Sequence, residues 1–228
     1  MKLKAVIDEY MAKVPQVKRY CKECLNVNRY NGNVVLMVVD ASFVSLGINY
    51  FKVVIPKVLE FKNKFIDTGK IKSLKDLSQH NIDDLRRIWK NKRSWNVAKE
   101  IASYLSKIDK DDRRALMKWA KKSELENWKE DPIGRIKGVG INTYQYLRMM
   151  GGVDTVMPDK IVRKVFKEIF DECKLKIPKD DLEFIKEIER VAKITGYKPI
   201  ELCWMTWFVY NFDSIKSYEL ISNKIDLL

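Results

Sequence analysis

Two short segments decide how this sequence folds: Ile136–Thr143, which reads IKGVGINT, and Met157–Arg163, which reads MPDKIVR. The first predicts a tight turn between two helices, because glycine adopts backbone angles that other residues rarely adopt and lets another backbone come close. The second predicts a helix that begins after Asp159, since a proline and a carboxylate precede a strongly amphipathic run. Together they predict a helical protein in which a glycine turn and a carboxylate lie close in space.

The helices on either side of the glycine turn have recognisable ends. Asp131 followed by Pro132 predicts the start of the first helix, because aspartate caps helices and proline suits the first helical position. The second helix should run from Ile141 to Met150 and stop at the two glycines that follow. Its first backbone N–H groups lack partners within the helix, so they and the helix dipole offer a site for a phosphate. The alternative is a tight corner between helices that binds nothing.

The remaining segments also predict helices. Apolar residues recur at helical spacing through 74–89, 97–105, 161–170, 182–194 and 200–212. The β-branched run Val34–Val39 is compatible with a strand, but no partner strand is evident, so we expect a buried helix there. The sequence contains no repeats, low-complexity segments or long linkers, and the predicted fold class is all-α.

Composition narrows the class of protein. The chain has 228 residues, of which 46% are hydrophobic, and this suits a packed core. No apolar run is long enough to span a membrane and none resembles a secretory leader, so we expect a soluble, cytoplasmic protein. The net charge of +13 fits a nucleic-acid partner, and it also fits a lysine-rich solvated surface without one.

The four cysteines, Cys21, Cys24, Cys173 and Cys203, are expected to be reduced thiols. The alternative is a zinc site built from all four, although Cys173 and Cys203 lack the spacing of a ligand pair. The chain has one histidine, His80, so imidazole catalysis and histidine-based metal sites are disfavoured. We expect no metal and no cofactor.

A chemical interpretation depends on Asp159. A carboxylate at a helix N-terminus is often only a cap. The helix dipole should also keep Asp159 ionised, and an ionised carboxylate stabilises the positive charge that develops on a sugar as its glycosidic bond breaks. On the residues alone, both a capping role and a catalytic role remain open.

Together the two segments resemble the helix-hairpin-helix DNA glycosylase superfamily, which includes endonuclease III, the alkyl-adenine glycosylases and the 8-oxoguanine glycosylases. Ile136–Thr143 meets the hairpin consensus of that superfamily, and Asp159 occupies the place of its catalytic aspartate. Pro158 is similar to the residue before the acid in the alkylation-repair branch. Weaker similarity covers most of the chain, with 73–107 resembling the paired helices before the hairpin and 196–211 resembling closing helices of some members.

The resemblance implies base excision repair, with Asp159 as the catalytic residue that helps hydrolyse the N-glycosidic bond of a damaged or mispaired base. The residues that would hold the DNA backbone are Lys137, Gly138, Val139, Gly140, Asn142 and Thr143. Members that also cleave the backbone carry a lysine where this chain has Asn142, so we expect a monofunctional enzyme. Lys137 and Lys160 are the alternatives for that lysine. The closely spaced cysteines of an iron–sulfur cluster are missing from the sequence, and we expect no cluster.

The superfamily flips the damaged nucleotide out of the duplex into a pocket. The resemblance implies two helical lobes with the DNA-binding cleft between them, one from 30–160 with the hairpin at 131–150, the other from 1–29 and 161–228. Aromatic and polar residues that would form the base pocket or probe the strand also suit ordinary core packing. These candidates are Ser42, Phe43, Trp128, Tyr144, Trp204, Trp207 and Phe208.

The expected partner is double-stranded DNA that contains a lesion, bound by a monomer associated with the nucleoid. One alternative is a non-catalytic helix-hairpin-helix DNA-binding protein. Another is a basic helical protein unrelated to DNA, because short motif matches also occur by chance.

Overall fold

The structure is a computed structural model that describes residues 2–44 and 49–211, and every regular element in those ranges is helical. The all-α prediction is therefore confirmed. None of these helices is both long enough and apolar enough to cross a membrane. In chain order they are α1 (Lys2–Ala12), α2 (Val17–Leu25), α3 (Val34–Val44), α4 (Ile55–Phe61), α5 (Leu74–Gln79), α6 (Ile82–Leu85), α7 (Lys92–Leu105), α8 (Asp112–Lys122), α9 (Ile141–Met150), α10 (Lys160–Glu172), α11 (Asp181–Thr195) and α12 (Pro199–Tyr210), with short π-helical stretches at Tyr50–Val54 and Lys62–Ile66 on either side of α4.

Helix α3 lies at the centre of the fold. Every residue from Val34 to Phe43 is buried, so the apolar run that is compatible with a strand forms a buried helix, as predicted. α3 contacts α4, α5, α7, α8 and α9. A helix that is apolar on nearly all sides needs neighbours of this kind around it.

Local sequence explains several helix ends, and the predicted stop of α9 at two glycines is confirmed. Ser73 accepts a hydrogen bond from the backbone N–H of Asp76 at 3.2 Å and starts α5. Gly196 ends α11 in the left-handed conformation, with φ +78°. Gly151 follows α9, and Gly152 turns the chain away with φ +96°.

The helix predicted to begin at Asp131 is not formed, and residues 125–138 make a series of turns instead. Asp131 Oδ1 accepts hydrogen bonds from the backbone N–H of Ile133 at 2.8 Å and from the indole N–H of Trp119 at 3.1 Å. The chain also passes close to itself, since a Cβ on Gly134 would lie 1.7 Å from the carbonyl oxygen of Trp128. These tertiary contacts override the local capping signal, so turns rather than a helix precede the glycine turn.

Helices from the two ends of the chain pack together. α12 contacts α1, α2, α10 and α11, and α1 also contacts α10 and α11. Helices α3 to α9 contact one another, and α9 contacts α2. Buried side chains from both groups form one continuous cluster. The division into lobes of 30–160 and of 1–29 with 161–228 stays a prediction.

A fully buried ion pair joins α3 to the turn that follows α2. Arg29 and Asp40 have no exposed surface, and Arg29 Nη2 lies 3.4 Å from Asp40 Oδ2. The same Oδ2 accepts hydrogen bonds from three tyrosine hydroxyls at 2.7, 2.8 and 3.0 Å. We call this group the Arg29–Asp40 cluster; its members are Arg29, Asp40, Tyr20, Tyr30, Tyr50 and Tyr146.

Burial sets the protonation of the Arg29–Asp40 cluster. It raises the pKa of Tyr50 to about 12 and also raises the pKa of Tyr146, so these hydroxyls stay protonated and donate to Asp40. Burial raises the pKa of Asp40 too, while Arg29 and the tyrosine hydroxyls lower it. Asp40 Oδ1 and Arg29 Nε have no hydrogen-bond partner in the part of the chain that the structure describes. The pair therefore depends on the contacts of Oδ2 and of the two Nη atoms.

Asp40→Ala should lower the free energy of unfolding by about 3–5 kcal/mol, because it leaves the Arg29 guanidinium buried without its anion. Tyr30→Phe removes one donor to the carboxylate and should cost about 1 kcal/mol. Both changes are measured by urea denaturation at neutral pH. The control is Asp171→Ala, which removes an exposed partner of Lys167 and should have a much smaller effect. A loss in Asp40→Ala no larger than that of the control would contradict the prediction.

Candidate functional site

The glycine turn before α9 needs glycine at only one of its two glycine positions. Gly138 has φ +109°, and a Cβ there would lie 3.0 Å from both Arg93 Nε and Val97 Cγ2. Gly140 has an ordinary φ of −108°, and a Cβ there would meet no atom within 4 Å. Gly138 therefore shapes the turn, whereas Gly140 leaves open surface beside the start of α9.

The N-terminus of α9 has no side-chain cap. In contrast, α7, α8 and α10 each have a capping side chain that accepts a hydrogen bond from a backbone N–H of the first turn. These capping residues are Asn91, Asp111 and Asp159. The N–H groups in the first turn of the 10-residue helix α9 consequently have no side-chain acceptor among the residues that the structure describes. A phosphate group can bind at such an uncapped helix N-terminus, and Gly140 has no side chain that would obstruct its approach.

The side chains of the predicted DNA-binding residues differ in exposure. Lys137 is exposed and Asn142 is half-buried, with its Oδ1 buried and lacking a donor among the described residues. Thr143 is only 1% exposed, and Val139 packs against the core. Lys137 is thus the side chain of this set that can reach a phosphate, while Thr143 and Val139 anchor the turn.

Two cations that the sequence analysis missed lie beside the turn. They are Lys92 and Arg93 at the start of α7, and Arg93 is the side chain packed against Gly138. Within the described ranges, Lys92, Arg93 and Lys137 form no ion pair or side-chain hydrogen bond. The capping residue Asn91 followed by two basic residues is the signal that would have found them. With Lys137 they line a depression of about 520 Å³, whose walls are Lys92, Arg93, Asn96, Glu100 and Lys137.

Asp159 is the N-cap of α10, as predicted, and its Oδ1 accepts a hydrogen bond from the backbone N–H of Ile161 at 2.7 Å. The residue is 9% exposed. Burial has the largest effect on its pKa and raises it, while the backbone N–H groups of α10 lower it by less. The backbone N–H groups at the start of α10 therefore favour the ionised form, as expected of a helix N-terminus, but the loss of solvent has the larger effect on the pKa. The raised pKa also makes the Asp159 carboxylate a stronger base than an exposed aspartate.

Asp159 opens into a cavity of about 190 Å³, called the Asp159 cavity below. Trp207 in its wall is 3% exposed, and the indole N–H has no acceptor among the described residues. Tyr210 in the same wall is 49% exposed, with Lys164 Nζ 4.9 Å from the centre of its ring. A carboxyl group and two aromatic rings at one opening suit a planar ligand. The lining residues are Val44, Asn49, Asp159, Lys160, Ile161, Trp207, Tyr210 and Asn211.

The segment between α9 and α10 runs back along α9. Gln145, in the middle of α9, donates from Nε2 to Thr155 Oγ1 and to the carbonyl oxygen of Val156, both at 2.8 Å. Because the chain leaves α9 at its C-terminal end and meets Gln145 on the way, it runs antiparallel to the helix. Asp159 therefore follows a segment directed toward the end of α9 that carries the glycine turn.

Most of the predicted base-pocket residues lie in the core, and only Trp207 lines the Asp159 cavity. Phe43 is stacked on Trp89 with ring centres 4.9 Å apart. Trp128 packs, half-buried, against the core. Tyr210, which the sequence analysis did not single out, lies at the cavity instead. The enclosed candidates, all at most 5% exposed, are Ser42, Phe43, Tyr144, Trp204 and Phe208.

The cysteines are all free thiols, and three of them are buried. Burial raises the pKa of Cys24 to about 11 and that of Cys203 to about 12, so both stay protonated. Within residues 2–44 and 49–211, no group of three or more histidine, cysteine or acidic residues is arranged to hold a metal ion. The zinc alternative therefore finds no ligand set there.

Comparison of the chain with models of protein families, with curated proteins and with solved structures finds no match. The resemblance to the helix-hairpin-helix glycosylases therefore stands on the two motifs.

Asp159→Asn should stabilise the protein relative to wild type as the pH rises. Asparagine caps a helix about as well as aspartate, but it carries no charge that burial opposes. Because the pKa of Asp159 is raised in the folded state, its contribution to stability is present below its unfolded pKa and is lost as the pH rises through the folded pKa. The two melting temperatures should be similar near pH 3, and the variant should exceed wild type at pH 7.

The matched control is Asp180→Asn at the N-cap of α11. Backbone N–H groups lower the pKa of Asp180, so there the wild type should gain stability over the variant as the pH rises. If both variants show the same trend between pH 3 and pH 7, the assignment of a burial-raised pKa to Asp159 is incorrect.

Proposed function

We propose that this protein is a monofunctional DNA glycosylase of base excision repair. It hydrolyses the N-glycosidic bond of a damaged or mispaired base. The observation that carries the proposal is the position of Asp159 at a cavity with aromatic walls, on a segment that runs back toward an uncapped, cation-lined glycine turn. In this proposal a cytoplasmic, nucleoid-associated monomer binds duplex DNA in a cleft between two helical lobes.

The glycine turn would hold the DNA backbone. The free N–H groups at the start of α9 bind a phosphate oxygen, and Gly140 lets the strand approach without meeting a Cβ. Lys137, Lys92 and Arg93 add positive charge from the exposed side of the turn. Interactions of this kind position the duplex without recognising its sequence.

The Asp159 cavity would receive the extruded base. Tyr210 offers an exposed face for stacking, and the ring of Trp207 forms part of the cavity wall. The ionised Asp159 carboxylate stabilises the positive charge that develops at C1′ of the sugar. Water adds to C1′ and the base leaves with the bonding electrons, while the raised pKa of Asp159 suits it to accept the proton of the water.

The residue at the lysine position of strand-cleaving glycosylases is Asn142, which has no amine and cannot form a Schiff base. This favours hydrolysis by water. Lys160 lines the Asp159 cavity, so it is the lysine whose replacement would test for strand cleavage.

A second candidate function is non-catalytic binding of DNA through the glycine turn. The observation that favours it is the local environment of Asp159. This residue is 9% exposed and accepts a hydrogen bond from the backbone N–H of Ile161, as an N-cap with a purely structural role would. Such a protein would bind duplexes but release no base. A turnover measurement separates the two candidates.

Wild-type protein should release a base from at least one duplex of a panel that contains uracil, 8-oxoguanine, an alkylated purine and hypoxanthine. Release is measured in single-turnover reactions followed by alkali. Asp159→Asn should lower the rate by about 10²–10³ with unchanged affinity for the duplex, because one aimed electrostatic group is removed. Asp180→Asn, the cap of α11, should retain the full rate.

The outcomes distinguish the candidates. No release from any duplex, together with tight binding, would favour the non-catalytic protein. A normal rate in Asp159→Asn would remove Asp159 from the mechanism.

Gly140→Val should weaken duplex binding without lowering the melting temperature, because its Cβ meets only open space in the free protein. Gly138→Val should lower the melting temperature itself, since its φ is positive and its Cβ would press on Val97. Affinity is measured by fluorescence anisotropy over a salt series.

Replacing Arg93 and Lys137 together by glutamine should reduce the slope of log K against log salt by about 0.9 for each phosphate that the variant no longer neutralises. Lys122→Gln, on the exposed surface of α8, is the control and should leave the slope unchanged. Equal slopes in all three proteins would place the DNA elsewhere.

A further inference from the structure

A second cavity, of about 550 Å³, lies at the end of α9 opposite the glycine turn. Its size falls within the range of about 300–1,000 Å³ that is usual for small-molecule sites. Its lining includes Leu25 at the end of α2, Val27 just after it, Met117 and Lys121 of α8, and Arg148 of α9. We call it the Arg148 cavity.

The wall from α8 is both apolar and basic. Arg114, Met117, Lys118 and Lys121 have the i, i+3, i+4 and i+7 spacing of one helix face, and all four line the cavity. Arg114 and Lys118 share Asp109 as a partner. Lys121 has no ion pair or hydrogen bond from its side chain among the described residues. No acidic side chain is among the residues that line this cavity.

Arg148 supplies the second observation, which is a nearly buried cation that forms no ion pair with any described residue. It is 8% exposed, and among the described residues its guanidinium donates to neutral acceptors alone. These are the hydroxyl and carbonyl oxygens of Ser123 and Oε1 of Gln145, at 2.9, 3.1 and 2.7 Å. Burial lowers its pKa, whereas the charges of Glu189, Glu126 and Asp131 raise it by less, and none of these carboxylates forms an ion pair with Arg148 in the described part of the chain. A buried guanidinium with neutral partners gains more from an anion than an exposed one does.

The floor of the cavity is formed by closely packed backbone. A Cβ on Gly151 would lie 2.4 Å from Ala120 Cβ, and one on Gly152 would lie 3.0 Å from the carbonyl oxygen of Leu25. The two glycines therefore let the end of α9 pack directly on α8 and on the end of α2. A floor held in this way is formed before any ligand arrives.

We propose that the Arg148 cavity binds a small organic anion with an apolar body. The apolar part lies between Val27 and Met117, and the anionic group faces Arg148 and Lys121. Duplex DNA does not fit this description, because backbone phosphates carry no apolar group to fill the space beside Leu25 and Val27. The site is separate from the Asp159 cavity and does not depend on the proposed function.

The probe for the test is anilinonaphthalene sulfonate, an anion with an apolar body whose fluorescence rises when it leaves water. The full chain should bind it saturably at one site. Lys121→Glu reverses one charge beside the anion and should weaken binding about tenfold. Lys122→Glu is the matched control, since this exposed neighbour on the same helix does not line the cavity, and the variant should bind as wild type does.

Two further measurements separate binding that depends on the charge of the probe from nonspecific hydrophobic binding. The uncharged analogue N-phenylnaphthylamine should bind at least about tenfold more weakly than the sulfonate. Arg148→Gln should abolish saturable binding of the sulfonate. If circular dichroism shows that this variant is unfolded, the comparison of Lys121→Glu with Lys122→Glu tests the proposal instead.

Three results would overturn the proposal: no saturable binding, equal losses in Lys121→Glu and Lys122→Glu, or equal affinity for the charged and uncharged probes. Displacement of the probe by duplex DNA would also overturn it, because the sulfonate would then occupy a DNA-binding surface. If the protein binds the probe as expected but neither binds nor cleaves any duplex, the result would support this site and contradict only the proposed function.

Discussion

The buried pair of Arg29 and Asp40 is the interaction on which the rest of this fold depends. Neither charge is exposed, and an unpaired charge inside a protein is costly, so each needs its partner. The tyrosine hydroxyls that complete the pair come from α2, from the turn after it, from the stretch before α4 and from α9. One ion pair therefore determines where four separate parts of the chain meet.

Helix α9 connects this ion pair to the candidate functional surfaces. Its Tyr146 binds Asp40, its Gln145 holds the segment that leads to Asp159, and its Arg148 lines the second cavity. The glycine turn lies at its N-terminus. A helix of 10 residues is about 15 Å long and rigid, so the positions of these features relative to one another are set together.

Where the structure differs from a local preference, the differences have a common physical cause. Asp131 carries a good local capping signal, but its carboxylate accepts a hydrogen bond from Trp119 of α8, 12 residues earlier, and no helix forms. Phe43 has the chemistry of a base-pocket residue, yet it stacks on Trp89 in the core. Asp159 lies at a helix N-terminus as expected, but burial outweighs the dipole in setting its pKa. In each case a distant neighbour or the loss of solvent outweighs a local preference.

The sequence by itself determined what depends on near neighbours: the all-helical class, the buried helix at Val34–Val44, the glycine stops, the turn at Gly138 and the cap at Asp159. Periodicity, glycine and capping chemistry act within a few residues and are therefore visible in the chain. Only the tertiary structure decided which aromatic ring reaches a cavity, which cations flank the turn and which charges are buried. Those outcomes depend on solvent exclusion by residues that are distant in the chain, and no local pattern records that exclusion.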